Sequence, residues 1–276
     1  MIMTLVNGQP EAQVSTTDRG FSYGDGVFET IRVSGGKALL LQRHLNRMKD
    51  GLFRININYK QHLIDSLLSE VSLLCDGVNE AFIKVVISRG SGGRGYRCSP
   101  ELQPTRVVMR VDAPRYPATL YKQGAELFAC STRLGSNPQL AGIKHLNRIE
   151  QVLARNEWQD QYVEGLVCDQ QGYLVEGTMS NLFLIRDDSL VTPLLDCCGV
   201  AGVVRSVIID AAAKHGVTFA EQRLTVDDLL QADGAFMTNS GFGVLPVSGF
   251  DGRVIPLSAI TATASHWLEE TRRCEQ

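Results

Sequence analysis

Leu140-Ala-Gly-Ile-Lys-His-Leu-Asn-Arg-Ile-Glu-Gln-Val-Leu153 is the stretch around which the rest of the chain is organised. Leu146, Ile149, Val152 and Leu153 recur at spacings of three and four, which predicts an amphipathic helix entered after Gly142 and running to about Trp158. Lys144 falls at the start of that helix, with Arg148 one turn later. The positive end of the helix dipole and a second cation both favour a neutral amine. A neutral lysine is a nucleophile that condenses with carbonyl compounds. Most lysines at helix starts are solvated surface groups, so the surrounding chain decides whether this one is chemical.

On the N-terminal side, Met3 to Val6 and a strand after Gln9 flank Asn7-Gly8, a hairpin signal. Asp18-Arg-Gly-Phe-Ser-Tyr-Gly-Asp-Gly26 is rich in turn formers, and Val27 to Val33 alternates as a strand does. Helices are predicted around Arg43 to Leu52 and Gln61 to Leu74. Arg47 lies on the first of them, and arginine is the natural fork for a phosphate. The strand Phe82 to Ser88 leads into Arg89-Gly-Ser-Gly-Gly-Arg-Gly-Tyr96, where Gly90, Gly92 and Gly95 spell G-x-G-x-x-G. A dinucleotide site needs a helix to open at those glycines. Pro100 and Pro104 break the chain instead, and Thr105 to Val111 reads as the next strand. The segment is therefore a hairpin loop, either plainly flexible or presenting Arg89 or Arg94 to a carboxylate.

Two prolines in Asp112-Ala-Pro-Arg-Tyr-Pro117 interrupt the periodic segments and mark a linker. The expected division is a smaller α+β domain over residues 1–112, a linker over 113–120 and a larger α+β domain over 121–276 that carries Lys144. In the second part, Glu176-Gly-Thr-Met-Ser-Asn181 sets an acid at a strand end. Gly202-Val-Val-Arg205 opens a helix to about Lys214, where the free amides of Val203 and Val204 form an anion site. Ala235 to Thr238 reads as a strand ending in Asn239-Ser-Gly-Phe-Gly243.

The 276 residues are 44% hydrophobic and 21% charged, enough apolar content for real cores, and the formal net charge of −3 gives no footprint for nucleic acid or an anionic membrane. Met1-Ile-Met-Thr lacks the basic start of a signal peptide and no apolar run approaches membrane-span length, so a cytoplasmic location is expected. Seven cysteines without a C-x-x-C pair and five scattered histidines predict reduced, mostly structural thiols and no metal site.

Together, Gly24-Asp-Gly-Val-Phe-Glu-Thr30, His44-Leu-Asn-Arg47, Lys144-His-Leu-Asn147, Glu176 to Asn181 and Gly202 to Arg205 resemble the class IV aminotransferase family, the fold-type IV pyridoxal phosphate enzymes. The resemblance implies a two-domain α+β fold, pyridoxal 5'-phosphate as cofactor, a small-molecule substrate and a homodimer whose small-domain loops reach the partner's site. By position, Lys144 matches the lysine that holds the cofactor covalently, and Glu176 the acid paired with the pyridine nitrogen. Arg47, the amides of Val203 and Val204, and Ser240 match the phosphate contacts. The loop around Arg89 to Tyr96 matches one that contacts substrate carboxylates, which falls on Arg94 and Tyr96, with Arg89 as a second anchor. Phe28 lies on the substrate side, where D-amino acid aminotransferases of the family carry a tyrosine. Ile149 replaces a cofactor-contacting tyrosine of branched-chain aminotransferases. The loop and the Lys144 stretch look most like the family's lyases, which implies carbon–oxygen elimination; a D-amino acid aminotransferase is the alternative.

Overall fold

Alternating burial along Gly26–Ser34 shows how the N-terminal part is assembled: Val27, Ile31 and Val33 are buried, while Phe28, Thr30 and Arg32 between them are partly open. The computed structural model describes residues 3–10 and 12–275. The expectations that touch Met1, Ile2 and Gln276 lie outside them. Two units result: Met1–Pro114 with Ile143–Asn147 and Cys274–Gln276, and Arg115–Gly142 with Arg148–Arg273.

The first unit contains β1 (Met3–Val6), β2 (Gln9–Pro10), α1 (Arg19–Tyr23), β3 (Gly26–Ser34), β4 (Lys37–Ala38), α2 (Leu41–Arg54), α3 (Gln61–Cys75), β5 (Glu80–Ser88) and β6 (Thr105–Val111). The strands form an antiparallel sheet in the order β2-β1-β6-β5-β3-β4. The first hairpin turns at Asn7 and Gly8 with φ of 50° and 86°, as its two residues predict. His44, Leu45, Met48 and Leu52 are the buried side of α2, at helical spacing, and α2 packs on β3. The β5–β6 connection is the predicted hairpin. Its neck requires glycine at residue 90, where φ is +94° and a Cβ would stand 1.9 Å from the Gln103 carbonyl oxygen. Gly90→Ala is expected to cost roughly 2 kcal/mol or more in urea unfolding; an unchanged midpoint would show that the neck relaxes freely.

The second unit contains α4 (Ala118–Gln123), β7 (Ala125–Leu134), α5 (Ile149–Arg155), β8 (Glu164–Asp169), β9 (Leu174–Gly177), β10 (Asn181–Arg186), β11 (Ser189–Pro193), α6 (Val203–Lys214), β12 (Phe219–Gln222), α7 (Val226–Leu230), β13 (Gly234–Asn239), β14 (Gly243–Phe250), β15 (Arg253–Val254) and most of α8 (Ala259–Cys274). Its mixed sheet runs β12-β11-β10-β13-β14-β7-β8-β9, with β15 on β14. Strands β10 and β13 are buried on both faces, which is why Leu182 to Ile185 reads as a continuous apolar run. Phe183 and Phe236, paired across these strands, stack with centroids 4.9 Å apart. Among the described residues no helix is long and apolar enough to cross a membrane.

The organising stretch departs from its prediction. The helix begins only at Ile149, five residues after Lys144, and Ile149, Val152 and Leu153 remain 66%, 49% and 56% exposed. Residues 144–147 pair with β3 and the turn before it. The amide of Phe28 donates to the Lys144 carbonyl and that of Leu146 to the Gly26 carbonyl, each at 3.0 Å, and the Asn147 side-chain amide donates to the Gly24 carbonyl at 3.0 Å. These long-range bonds replace the helical ones, a tertiary override of local periodicity. Lys144 thus falls in the first unit rather than the larger C-terminal one, and it is not part of α5.

Candidate active site

In the first unit, the Lys144 Nζ stands 4.4 Å from the centroid of the Phe28 ring. The backbone bonds to β3 fix the lysine beside that ring whatever its side chain does. One residue on, Glu29 points to the other face of the strand and is only 1% exposed. A buried carboxylate requires compensation, and α2 supplies it. Arg47 donates from Nε to Glu29 Oε1 at 2.8 Å and from Nη2 to Oε2, while His44 Nδ1 meets Oε2 at 2.6 Å. Burial drives His44 below its ordinary 6.5, so its ring is neutral and the Nδ1 proton donates to Glu29. Burial also pushes the Glu29 carboxyl up, but Arg47 and His44 together overcome this and hold it at about 2.

That depression has a stability consequence. The folded-state value lies below the ordinary 4.5, so the stabilisation is complete above about pH 4.5 and is lost as pH falls toward 2. Glu29→Gln is expected to flatten the fall in unfolding free energy between pH 4.5 and 2.5 by up to about 1.4 kcal/mol per pH unit. Urea titrations at several pH values measure it; parallel curves for the two proteins refute it.

The loop residues separate into two settings. Arg89 donates from Nε and Nη2 to Asp25 Oδ2 and Oδ1 at 2.7 and 2.9 Å, from Nη1 to the Asn56 carbonyl at 2.6 Å, and from Nη2 to the Ile55 carbonyl at 2.8 Å. Arg89 thus braces Asp25 and two carbonyls in this structure. Burial raises the Asp25 carboxyl, and the guanidinium groups of Arg89 and Arg19 together hold it below its ordinary value. Arg94 and Tyr96 point outward, Tyr96 with 88% of its surface exposed.

In the second unit, Glu176 near the end of β9 is buried, and its Oε2 accepts the Val200 amide at 2.8 Å. Burial lowers the affinity of the Arg148 guanidinium for its proton, and the Glu176 charge works against that. The turn after Glu176 is wound around Glu164, a fully buried carboxylate absent from the sequence reading. Glu164 accepts from the amides of Gly165, Thr178 and Met179 at 3.0, 2.9 and 3.2 Å, and from the hydroxyls of Thr178 and Ser180 at 2.6 Å each. Burial nonetheless leaves its carboxyl raised. The available signal was an acid heading an otherwise apolar strand, Glu164-Gly-Leu-Val-Cys168.

Gly202 caps α6 in an extended conformation with no side chain over the helix end, so the amides of Val203 and Val204 face outward from the first turn. A Cβ at Gly202 would fall 2.0 Å from Asn181 Oδ1, so the close approach of β10 to the helix start demands glycine. Ser240 sits in a turn shaped by Asn239, whose Oδ1 accepts the amides of Gly241 and Phe242 at 2.8 Å each.

The donor sets suit pyridoxal phosphate. Within the second unit, the uncapped start of a twelve-residue helix and a serine hydroxyl suit a phosphate dianion; within the first, the Arg47 guanidinium is a fork of the kind that binds one. An amine beside an apolar ring matches an aldehyde, and a buried carboxylate with one oxygen already seated on an amide matches a pyridinium nitrogen.

Comparison with known proteins agrees with the chemistry of these groups. The family described as "Amino-transferase class IV" matches residues 26–250. The chain is 39% identical over 250 residues to the aminodeoxychorismate lyase of Vibrio harveyi, covering 90% of this chain and 91% of that protein. It is 32% identical over 252 residues to a putative branched-chain-amino-acid aminotransferase of Methanocaldococcus jannaschii, covering 90% and 86%. The crystal structure of 4-amino-4-deoxychorismate lyase from Pseudomonas aeruginosa superposes with a TM-score of 0.92 at 41% identity, over 97% of this chain and 98% of that one.

Proposed function

The chain belongs to the class IV aminotransferase family, and from that premise we infer that it catalyses the aminodeoxychorismate lyase reaction, the release of pyruvate from 4-amino-4-deoxychorismate to give 4-aminobenzoate for folate biosynthesis. One observation carries the choice within the family. Likeness to lyases reaches 39% and 41% identity over nine-tenths or more of the chain, whereas the M. jannaschii aminotransferase stands at 32%.

When bound, pyridoxal phosphate supplies an electron sink for the carbanion left when a proton leaves the carbon bearing the substrate nitrogen. Lys144 would hold the cofactor through Nζ, and the same amine, once free, would take the proton from that ring carbon. The electron pair left behind expels the enolpyruvyl oxygen from the neighbouring carbon, the ring becomes aromatic, and the departing enol gains a proton to become pyruvate. Lys144 can return that proton. Arg47, the Val203 and Val204 amides and Ser240 would hold the phosphate, and Glu176 would keep the pyridine nitrogen protonated. Arg94 anchors a substrate carboxylate beside Tyr96, and Phe28 offers an apolar wall without a hydroxyl.

The assembly we propose is a cytoplasmic homodimer, supported by the exposed apolar residues Ile149, Val152 and Leu153 of α5. The test of function generates aminodeoxychorismate in situ with its synthase and follows 4-aminobenzoate by fluorescence and pyruvate by a coupled assay. Equal yields are expected. Neither product, from protein carrying its cofactor, together with efficient conversion of that cofactor to its amine form by D-amino acids, would replace the lyase by a transaminase.

A further inference from the structure

Arg19 is 3% exposed, yet it sits in a five-residue helix beside the open loop that follows β5. Its donors explain the burial. Nε donates to Asp25 Oδ2 at 2.9 Å, Nη1 to the Gly95 carbonyl at 2.9 Å and Nη2 to the Tyr96 carbonyl at 3.1 Å. The guanidinium also lies 4.8 Å from the centroid of Tyr23, whose hydroxyl accepts the Gly95 amide at 3.2 Å and whose ring meets Tyr96 edge-on at 5.6 Å. Behind this, Asp25 is forked by Arg89, and Asp18 caps α1 through the Gly20 amide while accepting the Ser88 hydroxyl. At the base of the loop, the Arg19 amide donates to the Gly90 carbonyl and the Gly92 amide to the Thr17 carbonyl, at 3.0 and 3.1 Å.

Loop tips of glycine, serine and arginine are ordinarily mobile. Here the backbone on either side of Tyr96 is tied to a buried cation, which is itself tied to a carboxylate fixed by a second guanidinium. We propose that Arg19 and Asp25 are positioning residues for substrate recognition: they set the 95–96 backbone so that Arg94 and Tyr96 are presented to a substrate carboxylate before the substrate arrives. The inference rests on the reading of Arg94 as the carboxylate anchor. Two guanidinium groups on one carboxylate also leave the support with a surplus positive charge, which favours an anion above it. Without the support, substrate has to order the loop itself, and binding weakens while the chemical step does not.

The experiment compares Arg19→Gln, Arg19→Lys, Arg94→Ala and the Arg19→Gln/Arg94→Ala double variant as holoenzymes. Arg19→Gln is expected to raise KM by about 10- to 100-fold with kcat within roughly threefold of the parent. The cofactor absorbance should be unchanged, and tryptic cleavage after Arg94 and Arg97 should be faster. Arg19→Lys should fall between the two. In the Arg94→Ala background, removing Arg19 should add less than about threefold, because both act through one contact. Should Arg19→Gln not fold, Tyr23→Phe removes only the hydroxyl under Gly95 and is expected to raise KM severalfold. If Arg94→Ala raises KM and neither Arg19→Gln nor Tyr23→Phe does, positioning is refuted. If Arg94→Ala leaves KM unchanged, the anchor reading fails and the inference falls with it. A parallel loss of kcat and bound cofactor would make Arg19 a general structural residue and refute it as well.

Discussion

Lys144→Ala is expected to have no measurable turnover and to lack the visible absorbance of lysine-bound cofactor. In the proposed mechanism the residue performs two tasks through one atom, holding the cofactor and moving the proton, and removing a group of this kind costs several orders of magnitude. The structure makes the variant interpretable. Residues 144–147 are attached to β3 and its preceding turn by backbone bonds at Phe28 and Leu146 and by the Asn147 side chain, none of which involves the lysine side chain. Its truncation therefore removes chemistry and leaves the local pairing, so the melting temperature should move by only a few degrees. Lys144→Arg is the companion control: it keeps a cation near the Phe28 ring but stays protonated, so it should also fail both to hold the cofactor and to take a proton. Turnover surviving in Lys144→Ala would remove the residue from the mechanism.

How much of this was legible in the sequence follows from the range of the interactions involved. Short-range signals served well: Asn7-Gly8 forms its hairpin and Gly202 precedes the start of α6. The Lys144 helix failed because Leu146, Ile149, Val152 and Leu153 have helical spacing while the partner that decides, the edge of β3, lies more than a hundred residues earlier. Three supporting charges carry no local signal of their role, for a related reason. Glu29 stands in the buried file of an alternating strand, Glu164 heads an apolar one, and Arg19 lies in a turn-rich segment; each is explained only by partners distant in sequence. Likewise, no periodicity reveals that Arg89 donates to Asp25 and to the carbonyl of Ile55 just after α2.

Glu176→Gln is expected to lower kcat by about 10²- to 10³-fold, the scale associated with losing one preorganised electrostatic group, while the cofactor remains bound. The substitution is nearly isosteric. Its amide oxygen can still accept the Val200 amide that now reaches Oε2 at 2.8 Å, so the loop before α6 keeps its seat. What disappears is the negative charge, and with it the preference for a protonated pyridine ring; a neutral ring withdraws electrons poorly and the proton-abstraction step slows. The loss should appear in kcat rather than in the affinity for pyridoxal phosphate, because the groups proposed to hold the phosphate, Arg47, Val203, Val204 and Ser240, are untouched. Glu29→Gln should show the reverse. Its carboxylate steadies Arg47 from the opposite strand face, so weakening it should raise the dissociation constant for pyridoxal phosphate and leave that for unphosphorylated pyridoxal alone. The two buried acids thus separate by readout: one acts on the ring through its charge, the other on the phosphate through an arginine. A Glu176→Gln enzyme with undiminished kcat would reduce Glu176 to a seat for the Val200 amide, and the pyridine nitrogen would then need another partner.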